Sequence, residues 1–323
     1  MHALAEPFVT DPAQFDGPVL VTGAGGCLGA WTLAILQASG VPTVAFDLRD
    51  DRNRPAMVMG EEAAANLTWE TGDITDGAGF RALVERHGVR AIIHYAGLQV
   101  PFCAANPALG ARVNVEGTIN VLEAARASAI KRTVYASSVA AHGMPPGGRW
   151  LPTLYGAYKV ANEQTAAVYW QDWQVPSVGL RPNVVYGVAR DQGVSAKFTL
   201  AIQAAVLGQP HEITFSGPLS WLHAGEAAAA FIAAVSRDGD GGYVFDLNGT
   251  CDTVENGLKI LMMVAPEARI TVSGTPFPFP PDMDDGPVRA HLDYPSVTMA
   301  DGIRSTHAAF VALHEAGRLP ALT

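Results

Sequence analysis

Near the start of the chain an apolar run, Val19 to Thr22, empties into Gly23-Ala24-Gly25-Gly26-Cys27-Leu28-Gly29 and then into the helix-forming stretch LGAWTLAILQAS. Few folds accept such a junction. Gly23, Gly26 and Gly29 are spaced three apart, which permits a tight turn, close backbone approach to a phosphate group and close packing of helix on strand. The helix start then aims its unsatisfied N–H groups at an anion held in the turn. A glycine triplet alone is a weak signal. Flanked by this strand and this helix, it predicts a dinucleotide-binding crossover in a parallel sheet.

The first half of the chain repeats that unit. Val19 to Thr22, Thr43 to Phe46, Ala91 to Tyr95, Thr133 to Ala136 and Ser177 to Leu180 are short apolar runs. The stretches Leu28 to Ser39, Phe80 to Arg86, Val113 to Ala127 and Tyr155 to Tyr169 between them have helical spacing and few breakers. Strand followed by helix, repeated, predicts an α/β fold: a Rossmann-type doubly wound parallel sheet with helices on both faces. After about Arg181 the pattern loosens and includes the Pro-rich segment Thr275 to Pro281. The expected organisation is an N-terminal extension over 1–17, a nucleotide-binding domain over 18–181, and a smaller substrate-binding lobe over 182–323 that partly returns to the sheet.

Composition narrows the partners. With 323 residues, about half of them hydrophobic, the chain can bury a sizeable core. Its formal charge of -10, with no run of Lys and Arg, predicts no nucleic-acid and no membrane partner. Residues 1–17 lack the positive start and apolar stretch of a secretion signal, and no 18 consecutive residues are apolar, so the expected location is cytoplasmic. Cys27, Cys103 and Cys251 are widely spaced, which suits a reducing compartment and implies no metal site.

Chemistry enters at the strand ends. The second strand closes in FDLRD, placing Asp47 and its neighbour Leu48 a little over twenty residues past the glycine turn. A carboxylate there accepts from a ribose 2′-hydroxyl and repels a 2′-phosphate, so NAD is predicted over NADP, with Arg49 as the one opposing feature. Asp73, in GDITD, either reaches the adenine or caps a surface helix. In LYGAYKVANEQTAAVYW, Tyr155 and Lys159 are four apart and share a helix face. A free tyrosine titrates near ~10, so the spacing predicts that the Lys159 ammonium, helped by oxidised nicotinamide, stabilises the phenolate for proton transfer. The strand TVYASS ends in Ser137 and Ser138, with Ser138 the expected hydrogen-bond partner of the reacting oxygen. Asn114 interrupts an otherwise good helix, either solvated or holding a water for proton relay.

Assembled in this order, TGAGGCLG, FDLRD, GDITD, HYAG, VNVEGTINVLEAA, ASSVAAHG, YGAYK and LRPNVVYG resemble the extended short-chain dehydrogenase/reductase family, in the branch of sugar-nucleotide epimerases and dehydratases. The resemblance covers Val19 to about Ala234. It implies Tyr155 as general base or acid, Lys159 as its partner and ribose anchor, and Ser138 as a substrate hydrogen bonder. It also puts Gly23, Gly26, Cys27, Leu28, Asp47, Asp73, Ile74, Tyr95, Ala96, Gly97, Gln99, Asn114 and Asn183 at cofactor-contacting positions. A homodimer through the helices near Val113 to Ala127 and Tyr155 to Tyr169 is implied as well.

Departures from that family bear on the substrate. Ser138 is followed by Val139 and Ala140 where dehydratases carry an acidic pair, which disfavours dehydration. PLSWLHAGE places Leu219 where nucleotide-sugar epimerases usually carry an arginine for the diphosphate, and an unpaired buried diphosphate is costly. The resulting expectation is an NAD-dependent dehydrogenase or reductase acting on a secondary hydroxyl or carbonyl of a small sugar, sugar acid or polyol. An NAD-dependent epimerase of a sugar or nucleotide sugar is the second reading and a catalytically silent NAD sensor the third. Gln99, Phe102, Ser138, His142, Tyr155 and His223 are the candidate substrate contacts.

Overall fold

In the computed structural model, which describes residues 4–143 and 152–322, six strands alternate with helices through the first half of the chain. They are β1 (Val19–Thr22), β2 (Thr43–Asp47), β3 (Thr68–Thr71), β4 (Ala91–His94), β5 (Arg132–Ala136) and β6 (Ser177–Pro182). Short strands β7 (Val185–Tyr186), β8 (His211–Ile213) and β9 (Pro218–His223) follow before β10 (Gly242–Leu247) returns to pair with β6. The seven-stranded sheet has the order β10-β6-β5-β4-β1-β2-β3, every neighbouring pair parallel. Residues on both sides of Arg181 therefore build one sheet. Two further strands, β11 (Thr250–Thr253) and β12 (Ile270–Val272), pair with β9 and β8 outside it.

The helices between β1 and β6 are α1 (Cys27–Ala38), α2 (Asn53–Met59), α3 (Glu61–Ala65), α4 (Gly77–Arg86), α5 (Val100–Ala105), α6 (Pro107–Ala111), α7 (Gly117–Ala127) and α8 (Leu154–Trp173). Beyond β6 come α9 (Lys197–Val206), α10 (Ala224–Ala234), α11 (Val254–Val264), α12 (Gly286–His291) and α13 (Met299–Glu315). Successive side chains of a strand point to opposite faces, and the core divides accordingly. Val19, Val21 and Ile93 join α1 and α10 in one apolar layer; Leu20 and Ile92 join α4, α7 and α8 in the other. The alanine run of α10 packs along α1, its small side chains almost all buried. Among the described residues no helix is long and apolar enough to cross a membrane.

Two helices differ from their sequence patterns. The stretch expected to be helical from Val113 begins with a π-wound turn, Arg112–Glu116, because Asn114 draws its side chain inward to backbone acceptors. Helix α8 runs on to Trp173. Thr153 Oγ1 accepts the Gly156 N–H at its start, and Gln174 at φ 55° ends it in the left-handed region.

The strand order reverses between β1 and β4, the position at which open parallel sheets bind ligands beyond their carboxyl ends. Gly23 sits there at φ 68°, and a Cβ on it would come within 2.7 Å of Ala96 N. Only glycine permits this approach of the β1 exit to the β4 exit. One turn on, a Cβ at Gly29 would press into the Gly23 carbonyl oxygen and lie 2.9 Å from Ala24 Cα, so α1 rests directly on the turn. Gly29→Ala is expected to lower stability by about 1–3 kcal/mol through overpacking. Urea unfolding checks this, and an unchanged midpoint would show that the contact between helix and turn yields freely.

Candidate active site

The glycine turn is held from outside by an acid. Asp47, at the end of β2, accepts the Gly25 N–H on Oδ2 at 2.9 Å and the Leu48 N–H on Oδ1 at 2.7 Å. The carboxylate thus stands half-buried at the rim of the turn, while the Leu48 side chain is exposed. Gly26 precedes the first turn of α1, and Cys27 and Leu28 open the helix, each half-buried. Burial pushes the Cys27 thiol up to about 12, so it carries no thiolate.

Ser138, Tyr155 and Lys159 meet beyond the end of β5. Gly156 makes this possible: a Cβ there would run into the Ala140 carbonyl oxygen, so the first turn of α8 lies flat on the segment after Ser138. Ser137 turns inward and its Oγ donates to Glu163 Oε1, whereas Ser138 Oγ accepts the Ala140 N–H and lies near enough to the Tyr155 phenol to favour its ionisation. Lys159 Nζ lies 5.3 Å from the centre of the Tyr155 ring and donates to Ala136 O at 2.6 Å.

The side chains by themselves do not acidify Tyr155, and the expected acidification also draws on the charge of oxidised nicotinamide. Burial raises the phenol above its ordinary value, and the groups opposing that rise are the Ser138 hydroxyl and the Arg190 charge. The helical spacing brought the two side chains to one face, but the ammonium is anchored on a strand carbonyl rather than aimed at the phenol oxygen. Burial also acts on Lys159, pushing its ammonium down to about 8, with the Cys103 and Glu163 charges pulling it back up.

Asn114 completes the group from the π-wound turn. Its Nδ2 donates to Gly110 O at 3.0 Å and Leu98 O at 3.2 Å, and its main-chain carbonyl accepts from Asn162 Nδ2 on α8. Its Oδ1 is buried with no partner among the described residues. A Cβ on Gly97 would lie 2.7 Å from that oxygen and 3.8 Å from Lys159 Nζ. An orphaned acceptor therefore opens onto the space that the Gly97 hydrogen leaves free.

An ion network that the sequence reading missed lies beneath. Arg181, on β6, grips Glu163 through Nε at 2.7 Å and Nη2 at 2.6 Å. The same guanidinium reaches His142 Nε2 at 3.3 Å and Asp246 Oδ1 at 3.6 Å, and His142 Nε2 is 2.6 Å from Asp246 Oδ1 on β10. Glu163 follows Lys159 by four and Tyr155 by eight, so helical spacing alone could have placed it on the same face. Its partners come from distant strands and carry no local signature.

The remaining expected contacts separate. Gln99 caps α5 near Gly193, and Phe102 is half exposed on that helix. Tyr95 turns its phenol to Thr32 Oγ1 at 2.8 Å, and Ala96 and Gly97 form the β4 exit. Asn183 is buried, with Nδ2 donating to Asn248 Oδ1 and Pro280 O. Asp73 is exposed and accepts from Thr75, while Asp76 caps α4 and Ile74 is buried against Gly117. His223 is no substrate contact: it lies in the core, stacked on Phe8 and edge-on to Trp31 and Tyr186, and burial drives its imidazole down to about 4. His142 spends its Nε2 on the ion network. Leu219 is a core residue at 3% exposure, so this position supplies no cation. Among the described residues no group of His, Cys, Asp and Glu could hold a metal.

The sequence pattern of the NAD-dependent epimerase/dehydratase family matches residues 19–247. The chain belongs to that family. It is an enzyme family of the extended short-chain dehydrogenase/reductase class, as the motifs implied. Over 135 residues the chain is 34% identical to UDP-glucose 4-epimerase of Mus musculus, a match covering 39% of this chain and 39% of that enzyme. The chain thus spans about two fifths of the length of that curated relative. An epimerase of Methanothermobacter thermautotrophicus has the same fold with a TM-score of 0.78 at 22% identity, covering 98% of this chain and 97% of that one. UDP-glucose 4-epimerase of Thermus thermophilus, solved with NAD, superposes with a TM-score of 0.73 at 23% identity, covering 91% and 98%.

The residues fit the family's cofactor, NAD. The turn offers main-chain N–H groups at the start of α1, Asp47 offers carboxylate lone pairs at its rim, and Asn114 Oδ1 offers an unspent acceptor beside Lys159. The Lys159 ammonium is charged below about pH 8 and neutral above it, so a step that uses it should show an alkaline limb in kcat/KM near that pH. Glu163→Gln removes a charge that supports the cation and should move the limb to lower pH. It should also cost about 3 kcal/mol of stability by stranding Arg181. A limb that stays in place or moves upward would show that Glu163 does not tune Lys159.

Proposed function

We propose that the chain is an NAD-dependent epimerase that inverts a hydroxyl-bearing carbon of a sugar or sugar derivative, carried by Ser138, Tyr155 and Lys159. The observation that supports this reading most is the convergence of those three side chains beside a glycine turn, in a chain whose curated relatives include UDP-glucose 4-epimerases. Net dehydrogenation, ranked first on the sequence alone, falls behind because the curated relatives include UDP-glucose 4-epimerases.

NAD, when bound, would supply the acceptor and donor of a hydride at the carbinol carbon. The chain does the rest. Tyr155 Oη, ionised when the positive charge of oxidised nicotinamide and of Lys159 offsets the effect of burial, would accept the hydroxyl proton as the C–O bond becomes a carbonyl and give it back when that carbonyl is reduced again. Ser138 Oγ holds the same oxygen. Lys159, fixed by Ala136 O, holds its positive charge within reach of the ring. Gln99 and Phe102 are the substrate contacts of this reading.

Tyr155→Phe should lose about 10²- to 10⁴-fold in turnover while NAD affinity stays unchanged by calorimetry. Retained turnover would remove the assigned acid and base. A panel of free sugars, sugar acids and nucleotide sugars with NAD, followed for both NADH and product configuration, decides the reaction. Inverted product without NADH accumulation is expected, and stoichiometric NADH would return the dehydrogenase reading.

The proposal includes a homodimer through the outer face of α8, where Val168 and Trp173 are exposed and Arg126 of α7 stacks on the Trp173 ring at 4.6 Å. Light scattering should give twice the chain mass for the wild type, and Trp173→Glu should shift it toward one. A wild-type monomer would remove this part of the reading.

A further inference from the structure

The segment after β7, Gly187 to Gly193, is a strap laid across the glycine turn. Its Val188 carbonyl accepts from Trp31 Nε1 at 2.9 Å and faces the Cys27 thiol, both on α1. Its Asp191 is gripped by Arg54, with Nε 3.0 Å from Oδ1 and Nη2 2.9 Å from the same oxygen, and the Nη1 of that arginine donates to Gly25 O at 2.9 Å. The strap is therefore tied both to the helix start and to the turn. Its backbone takes positive φ at Gly187, Ala189 and Gly193. For Ala189 that conformation is unfavourable and persists only because the surrounding contacts impose it.

These ties position Arg190. Its Nη2 donates to Ser195 Oγ at 2.8 Å, its Nε is buried with no partner, and it makes no ion pair among the described residues. Its positive charge favours ionisation of both the Cys27 thiol, at the first residue of α1, and the Tyr155 phenol. A guanidinium is thus carried on the strap that is tied to the start of α1 and to the glycine turn, with a donor unspent. Leaving such a donor buried and unpaired is costly, and a phosphate oxyanion is the acceptor its fork geometry matches best.

We propose that Arg190 is a phosphate anchor for the dinucleotide, its Nε–H donating to a pyrophosphate oxygen at the start of α1, with the Arg54–Asp191 pair holding the strap closed over the bound cofactor. This rests on the reading that NAD occupies the glycine turn. It supplies what an epimerase needs between its two hydride transfers, a cofactor that does not leave.

Calorimetric titration of NAD, ADP-ribose and adenosine tests it. Arg190→Ala should weaken NAD and ADP-ribose roughly 10- to 100-fold and leave adenosine, which carries no phosphate, unchanged. Arg190→Lys should recover part of the loss, and Asp191→Asn should speed NAD release in stopped-flow. Equal ADP-ribose affinity in wild type and Arg190→Ala overturns the proposal. So does a loss confined to the KM of the sugar, which would assign Arg190 to a substrate anion. If Arg190→Ala fails to fold by circular dichroism, Arg190→Lys and Asp191→Asn carry the test, and wild-type affinity in both overturns it. Failure of the wild type to bind ADP-ribose would instead remove the NAD reading itself.

Discussion

The contact on which the rest of the structure depends is steric. The chain leaves β1 and β4 so close together that Gly23 has no room for a side chain beside Ala96. That closeness sets the crevice at which the strand order reverses, and it aims the N–H groups at the start of α1 into the crevice. Gly29 then brings α1 down on the turn, and Asp47 fastens the turn from the β2 side. With the crevice fixed in this way, the ends of β4 and β5 can only deliver their residues to its other wall.

The second constraint is electrostatic. Glu163 is buried, the Arg181 side chain is about a fifth exposed, and Lys159 one turn earlier on α8 is buried. A buried ion pair rarely stabilises a fold by itself, because desolvation offsets most of the attraction, but half of such a pair is severely destabilising. The pair therefore acts as a register device. It locks α8 to the ends of β5, β6 and β10 through Ser137, Arg181, His142 and Asp246, and so holds Tyr155 over Ser138. Such stiffness suits a site that must hold Tyr155 and Ser138 in one geometry.

How much could be read beforehand depended on how local the cause was. The strands β1 to β6 were legible because apolar runs bounded by turn residues are local, and so was the face shared by Tyr155 and Lys159. The effect of that shared face was not. Lys159 donates to the nearby Ala136 carbonyl and burial raises the phenol, surroundings that spacing along one helix does not reveal. His223 differed for a related reason: spacing placed it near the site in the chain, and packing buried it in the core.

By itself the sequence determined the layered sheet, the glycine turn, the acid at its rim and the order of the catalytic segments, because each follows from residue type and spacing within one or two turns of chain. Only the tertiary structure decided what those groups face. Arg181 meets Glu163, Asp246 meets His142 across 104 residues and Arg54 meets Asp191 across 137. Charge and hydrogen-bond partners are chosen by proximity in space after the sheet has assembled, and desolvation there sets the strength and even the direction of each effect.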